Sequence, residues 1–178
     1  MDYRIWILII ILIIVMWMIS KINSMIFLNK KCQQAISNID VFLTKRYDTL
    51  TKLSEVVKGY TKYEKDTLIE ISKIRANMTI NEIKKYNSKL DDEYNKINII
   101  VEKYPELKAD KQYLKLQEQI IDCEDNLAAA RRIYNSDVND YNNYILKFPN
   151  SFFSWIFEYK EKEYYKLETN DDATNLKD

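Results

Sequence analysis

Six charged residues stand at or beside apolar repeats of helical spacing, where an unpaired charge is costly: the acids Asp40, Glu64 and Glu124 and the bases Arg46, Arg75 and Arg131. Three of each sign can neutralise one another. Asn135 and Asn142 share a seam with Glu124 and Arg131, in which Gln117, Ile121, Glu124, Ala128, Arg131, Asn135, Val138 and Asn142 recur every three or four residues. The chemistry available to such a set is ion pairing and hydrogen bonding inside a helical core. A buried network of this kind need not stabilise a fold, because desolvation offsets the Coulomb gain, but it can fix helix register and partner choice. Two other readings stay open: a cavity for an ion or small polar ligand, and solvated flanks of the core.

Catalytic chemistry is poorly supplied. The sequence contains 0 His, which removes the commonest general base, the serine and cysteine triads and the Glu-x-x-His ligand pairs of helical metal bundles. Glu64 and Glu124 are candidate paired carboxylates, but acid–base work by such a pair needs a cleft of controlled separation. Gly59, the 1 glycine present, cannot form a phosphate-binding loop. Cys32 and Cys123 lack metal-ligand spacing and read as small core thiols. With Lys+Arg 27 against Asp+Glu 27, the chain has no overall basic field, so nucleic acid is not an expected partner. The expectation is a protein that is not an enzyme, with no cofactor and no metal.

The elements that position these residues are all helical, since 1 Gly and 2 Pro in 178 residues leave little punctuation for strands and tight turns. Four apolar stripes are legible. Leu28, Cys32, Ala35, Ile39, Phe42 and Arg46 mark a first helix, and Leu50, Leu53, Val57, Tyr60, Glu64, Thr67, Ile71, Ile74 and Met78 a second. Ile83 to Tyr104 carries a third, and Leu116 to Phe148 a fourth. Asp48 is the expected N-cap between the first two; Thr79 with Glu82 forms a capping-box pattern; Pro105 and Pro149 interrupt the later helices. Short links favour antiparallel neighbours, hence an up-down-up-down four-helix bundle over residues 27–148, with a dimeric coiled coil as the structural competitor.

Ahead of the bundle, Ile5 to Ile19 is uninterrupted and apolar, flanked by Arg4 and Lys21, with Trp6 and Trp17 near its two ends. Between the flanking charges it covers roughly 24 Å, a little short of the ~30 Å hydrocarbon layer. Residues 1–26 are therefore the expected transmembrane anchor, and Lys21, Lys30 and Lys31 behind it place the bulk of the chain in the cytoplasm by the positive-inside rule. A cleaved signal sequence is the rival reading. After the fourth helix, residues 149–167 gather Phe152, Phe153, Trp155, Phe157 and Tyr159 ahead of Lys160, Lys162 and Lys166, a mix suited either to the membrane interface or to capping the bundle core. If the first two helices were continuous, this segment would end far from the bilayer. Residues 168–178 read as a disordered tail.

The segments IDVFLTKRYD, EVVKGY, YPELKAD, AAARRIYN and VNDYNNYILKFPNS together resemble the LemA family across nearly all of the chain after the anchor. The pattern departs from the family at Ile36, Thr51 and Tyr63, where Trp, Pro and His are usual. The resemblance implies a membrane protein with a four-helical LemA-type bundle and no agreed enzymatic activity. The function expected is a single-pass, membrane-anchored interaction or scaffold protein of the cell envelope, with unidentified protein partners and capable of homo-oligomerisation. Membrane binding or remodelling through self-association and lipid contact is the alternative. A ligand sensor built on the polar seam is a third class.

Overall fold

The computed structural model describes residues 3–60 and 78–166. These are almost entirely helical, with no strand among them: α1 (Tyr3–Tyr60), α2 (Ile80–Glu102), α3 (Pro105–Lys108), α4 (Lys111–Leu146) and α5 (Asn150–Ile156). The helices pack against one another, as the apolar stripes require.

The break expected at Asp48 does not occur. α1 runs without interruption through the expected anchor boundary at residue 26 and on to Tyr60, because a single register of buried side chains continues through it. Met25, Cys32, Ala35, Ile39, Leu43, Arg46, Leu50, Leu53 and Val57 follow one another at steps of three, four or seven. Leu43 rather than Phe42 takes the core position, which makes the spacing on either side of Asp48 the same. No proline or glycine lies between Tyr3 and Lys58, and Asp48 is exposed. The Thr44, Thr49 and Thr51 hydroxyls donate to the carbonyls of Asp40, Lys45 and Tyr47, four residues back, at 2.8, 2.8 and 2.9 Å. That back-bonding commits them to the helix rather than to a cap.

The other punctuation appears where the sequence places it. At the start of α2 the Glu82 amide donates to Thr79 Oγ1 (3.3 Å) and the Thr79 amide to Glu82 Oε2 (2.7 Å), a complete capping box. Pro105 opens α3. Asp110 then caps α4, its Oδ1 accepting the amides of Gln112 and Tyr113 at 2.8 and 2.9 Å.

The chain divides into two compact units. The first joins residues 1–36 to Ile133–Tyr164. Within it α1 and α4 run antiparallel: the Tyr144 hydroxyl donates to the Lys21 carbonyl (3.4 Å), while Cys32, Tyr134, Val138, Tyr141 and Ile145 supply the core. The second joins residues 37–132 to the segment from Tyr165. Here Leu43, Leu50, Leu53 and Val57 of α1 join Ile83, Leu90 and Ile97 of α2 and Leu116, Ile120, Cys123 and Leu127 of α4 in the buried set. The Tyr60 hydroxyl donates to Asp110 Oδ2 (2.8 Å), which sets the end of α1 beside the start of α4.

Candidate functional site

In the second unit, Arg46 occupies a heptad position between Leu43 and Leu50 and is only 2% exposed. Helix spacing drives it into the core, so its guanidinium must be satisfied there. Nη1 donates to Asn87 Oδ1 (2.9 Å) and Nη2 to Asp91 Oδ1 (2.6 Å). Asn87 and Asp91 are one turn apart on α2, and the Asn87 amide donates in turn to Asp91 Oδ2 (3.1 Å). From α4, Glu124 Oε1 approaches Arg46 Nη2 to 2.5 Å, an ion-pair contact outside hydrogen-bond alignment. One guanidinium therefore ties three helices together. Both acids keep one side to solvent, Asp91 at 49% and Glu124 at 38%, which relieves much of the desolvation that a buried pair suffers.

The remaining residues expected in the network are placed differently. Arg131 is half-buried and stacks on Tyr165, its guanidinium carbon 5.0 Å from the ring centroid. Its Nε and Nη2 have no hydrogen-bond partner among the described residues, so no acid is paired with it there. Burial pushes the Tyr165 phenol up, opposed by the neighbouring Arg131. Asp40 is half-buried with Oδ1 unpartnered, and burial holds its carboxyl above the usual range. Asn135 is half-buried. Glu64 and Arg75 lie outside the described residues. Asn87 and Asp91 escaped sequence reasoning, although an Asn–Asp pair at a four-residue interval flanking the apolar stripe of α2 was the available signal.

Asn142 belongs to another structure altogether, in the first unit. After α5 the chain reverses at Glu158 (φ 54°), with the Tyr159 amide donating to the Ser154 carbonyl (2.9 Å). It then runs back along α4 as an extended strap. The Asn142 amide donates to the Lys162 carbonyl and the Lys162 amide donates to Asn142 Oδ1, both at 2.9 Å. Tyr141 and Tyr134 donate their hydroxyls to the carbonyls of Lys160 (3.1 Å) and Glu163 (2.8 Å). Burial, aided by Cys32 and Glu163, pushes the Tyr134 phenol up to about 12, so its proton is held throughout the physiological range.

The aromatic residues ahead of the strap divide by face. Phe153 is buried and meets Trp17 of α1 edge to face, with ring centroids 6.3 Å apart. Phe152, Trp155 and Phe157 are exposed and Tyr159 is half-buried. α5 thus lies beside Trp17 and Lys21 although α1 is continuous, contrary to the expectation that continuity would carry it away. The antiparallel return of α4 along the first half of α1 is the reason.

The arrangement around Arg46 can hold helix register, and both Nη atoms are already engaged. Comparison with known proteins gives a family and three relatives. The LemA family model matches residues 35–177. Protein LemA of Metamycoplasma hominis is 28% identical over 135 residues, which cover 73% of this chain and 62% of that protein. Magnetosome proteins MamQ 1 and MamQ 2 of Paramagnetospirillum magneticum are each 30% identical over 67 residues, 38% of this chain and 25% of theirs. The chain spans less than two thirds of the length of each of these relatives.

Proposed function

The chain belongs to the LemA family, and from that membership and the apolar run at the start of α1 we propose that it is a membrane-anchored, non-enzymatic helical module that presents a helical surface to other proteins. One observation carries the reading. The most apolar 18-residue stretch of α1 has mean hydropathy 2.8 with none of it buried against the rest of the protein, while the same helix continues into a fully packed seam. A helix face exposed that completely favours lipid as its solvent. The charged groups support interaction over catalysis, since Arg46 is consumed by Asn87, Asp91 and Glu124 and the sequence offers 0 His.

The run ends at Lys21, with Lys30 and Lys31 beyond it, which supports a cytoplasmic placement of the residues that follow. Protease added to intact spheroplasts should spare a C-terminal tag; digestion before lysis reverses the orientation. In-cell crosslinking from intact membranes, read by mass spectrometry, should recover a stoichiometric protein partner. Recovery of this chain alone, in lipid-dependent oligomers, would instead favour the second reading, membrane remodelling by self-association, which the exposed rings of α5 support.

A further inference from the structure

We propose that α5 and the turn on either side of it form a second membrane contact, an aromatic wedge lying in the headgroup layer of the bilayer that holds the apolar run of α1. The inference rests on the anchor reading above and goes beyond it by assigning a lipid-binding surface outside the span.

The rings form a connected series from the span outward. Trp17, within the apolar run, meets Phe153; Phe153 meets Phe152 edge to face at 5.9 Å; Phe152 meets Trp155 at 6.4 Å. Only Phe153 of this series is buried. Phe148 is 88% and Trp155 77% exposed, and Phe152, Ile156 and Phe157 are also open. Positions 152, 155 and 156 share one face of α5, opposite the buried Asn150, Phe153 and Ser154, and Phe148 is exposed in the turn just before it. Core capping accounts for Phe153 and leaves the outward face without a role.

The level of this face is set by α1. The Tyr144 hydroxyl on the Lys21 carbonyl and the Phe153 ring on Trp17 hold the end of α4 and α5 within about one helical turn, ~6 Å, of the point where the apolar run gives way to charge. That is the depth at which tryptophan is enriched in membrane proteins, and where the apolar face of an interfacial helix carries tryptophan and phenylalanine. Lys21 stands over the Trp17 ring (5.6 Å), which sets a cation at this level. The run from Ile5 to Ile19 is about 22 Å long by helical rise, short of the ~30 Å hydrocarbon layer. An apolar wedge at this end supplies surface where the span falls short. Charge contributes little, because Lys160 and Lys162 alternate with Glu161 and Glu163, and Lys162 is turned onto the Tyr141 ring (5.2 Å). Binding is therefore hydrophobic and insensitive to salt.

The test uses the full chain reconstituted in vesicles of phosphatidylcholine and phosphatidylglycerol with bromine on the upper acyl chain. W6F/W17F leaves Trp155 as the sole tryptophan and keeps a ring against Phe153; W17F/W155F leaves Trp6 to report the span. The expected result is that brominated lipid quenches Trp155, that acrylamide in the aqueous phase does not reach it, and that high salt changes neither. Trp155 unquenched by lipid while Trp6 is quenched overturns the proposal and spares the anchor: open to acrylamide, the wedge faces water; shielded from acrylamide, it faces protein. Trp155 quenched with Trp6 unquenched removes the anchor and keeps the wedge. Neither quenched removes both.

Discussion

Arg46 is held by two acids that are themselves partly in water and by the buried Asn87, so its removal costs the packing of a fully buried side chain, the loss of charge-assisted bonds and an Asn87 oxygen left without its donor. Arg46→Ala is expected to destabilise the protein by about 3 kcal/mol in denaturant titration, and Arg46→Met, which refills the volume, by less than half of that. Arg131 rests on Tyr165 with no acid beside it among the described residues, so Arg131→Ala should lose on the order of 1 kcal/mol. A larger loss at Arg131 than at Arg46 would reverse this assignment. Asp40 moves the other way. Its carboxyl binds a proton more tightly in the folded state than in the unfolded one, so stability falls as pH rises through and above the ordinary carboxylate range near about 4. Asp40→Asn should therefore raise the melting temperature at pH 7 and have little effect at pH 3; no gain at pH 7 would mean that the carboxylate finds solvent. The place of Arg46 was legible from helical spacing alone. Its partners were not, because spacing gives the side of a helix and not which neighbour faces it.

Among the elements, α1 shows where local signals mislead. Asp48 followed by threonines looks like a helix start, yet the buried register continues past it and the threonine hydroxyls bond backward. The LemA resemblance leads one to expect proline at position 51, and in this chain Thr51→Pro would remove an interior amide and press the ring against the Tyr47 carbonyl. The expected loss is about 3 kcal/mol or more, read from urea unfolding; a neutral outcome would show that α1 bends there without penalty. The capping box at Thr79 and the break at Pro105 were legible because each is written in adjacent residues. The strap was not, since an extended segment with alternating lysine and glutamate carries no apolar repeat and is recognised only through its partners Tyr134, Tyr141 and Asn142 on α4. Asn142→Ala should leave the helices intact while accelerating amide hydrogen exchange at Lys162.

At the scale of the molecule, helix content and the apolar run of α1 were evident from composition, whereas the division into units was not, because each unit joins two segments that are distant in the sequence. The sequence suggests a soluble domain beginning near residue 27. The structure makes that cut costly, since Trp17 and Lys21 support α5 and the end of α4. A fragment beginning at residue 27 should keep its helical circular dichroism but lose protection from hydrogen exchange across residues 144–157, and one beginning near residue 15 should retain it; equal protection in both would show that α5 stands without α1. The strap carries a consequence for how this molecule can vary. Asn142, Tyr134 and Tyr141 bond to it through backbone carbonyls and one amide, while among its side chains Lys162 meets the Tyr141 ring and Tyr164 donates to Asn139 Oδ1. The side chains of residues 160 and 161 are thereby open to change, so that relatives can share the strap while showing little likeness at those positions. A proline at 162, which lacks the amide that Asn142 accepts, is the substitution such drift has to avoid.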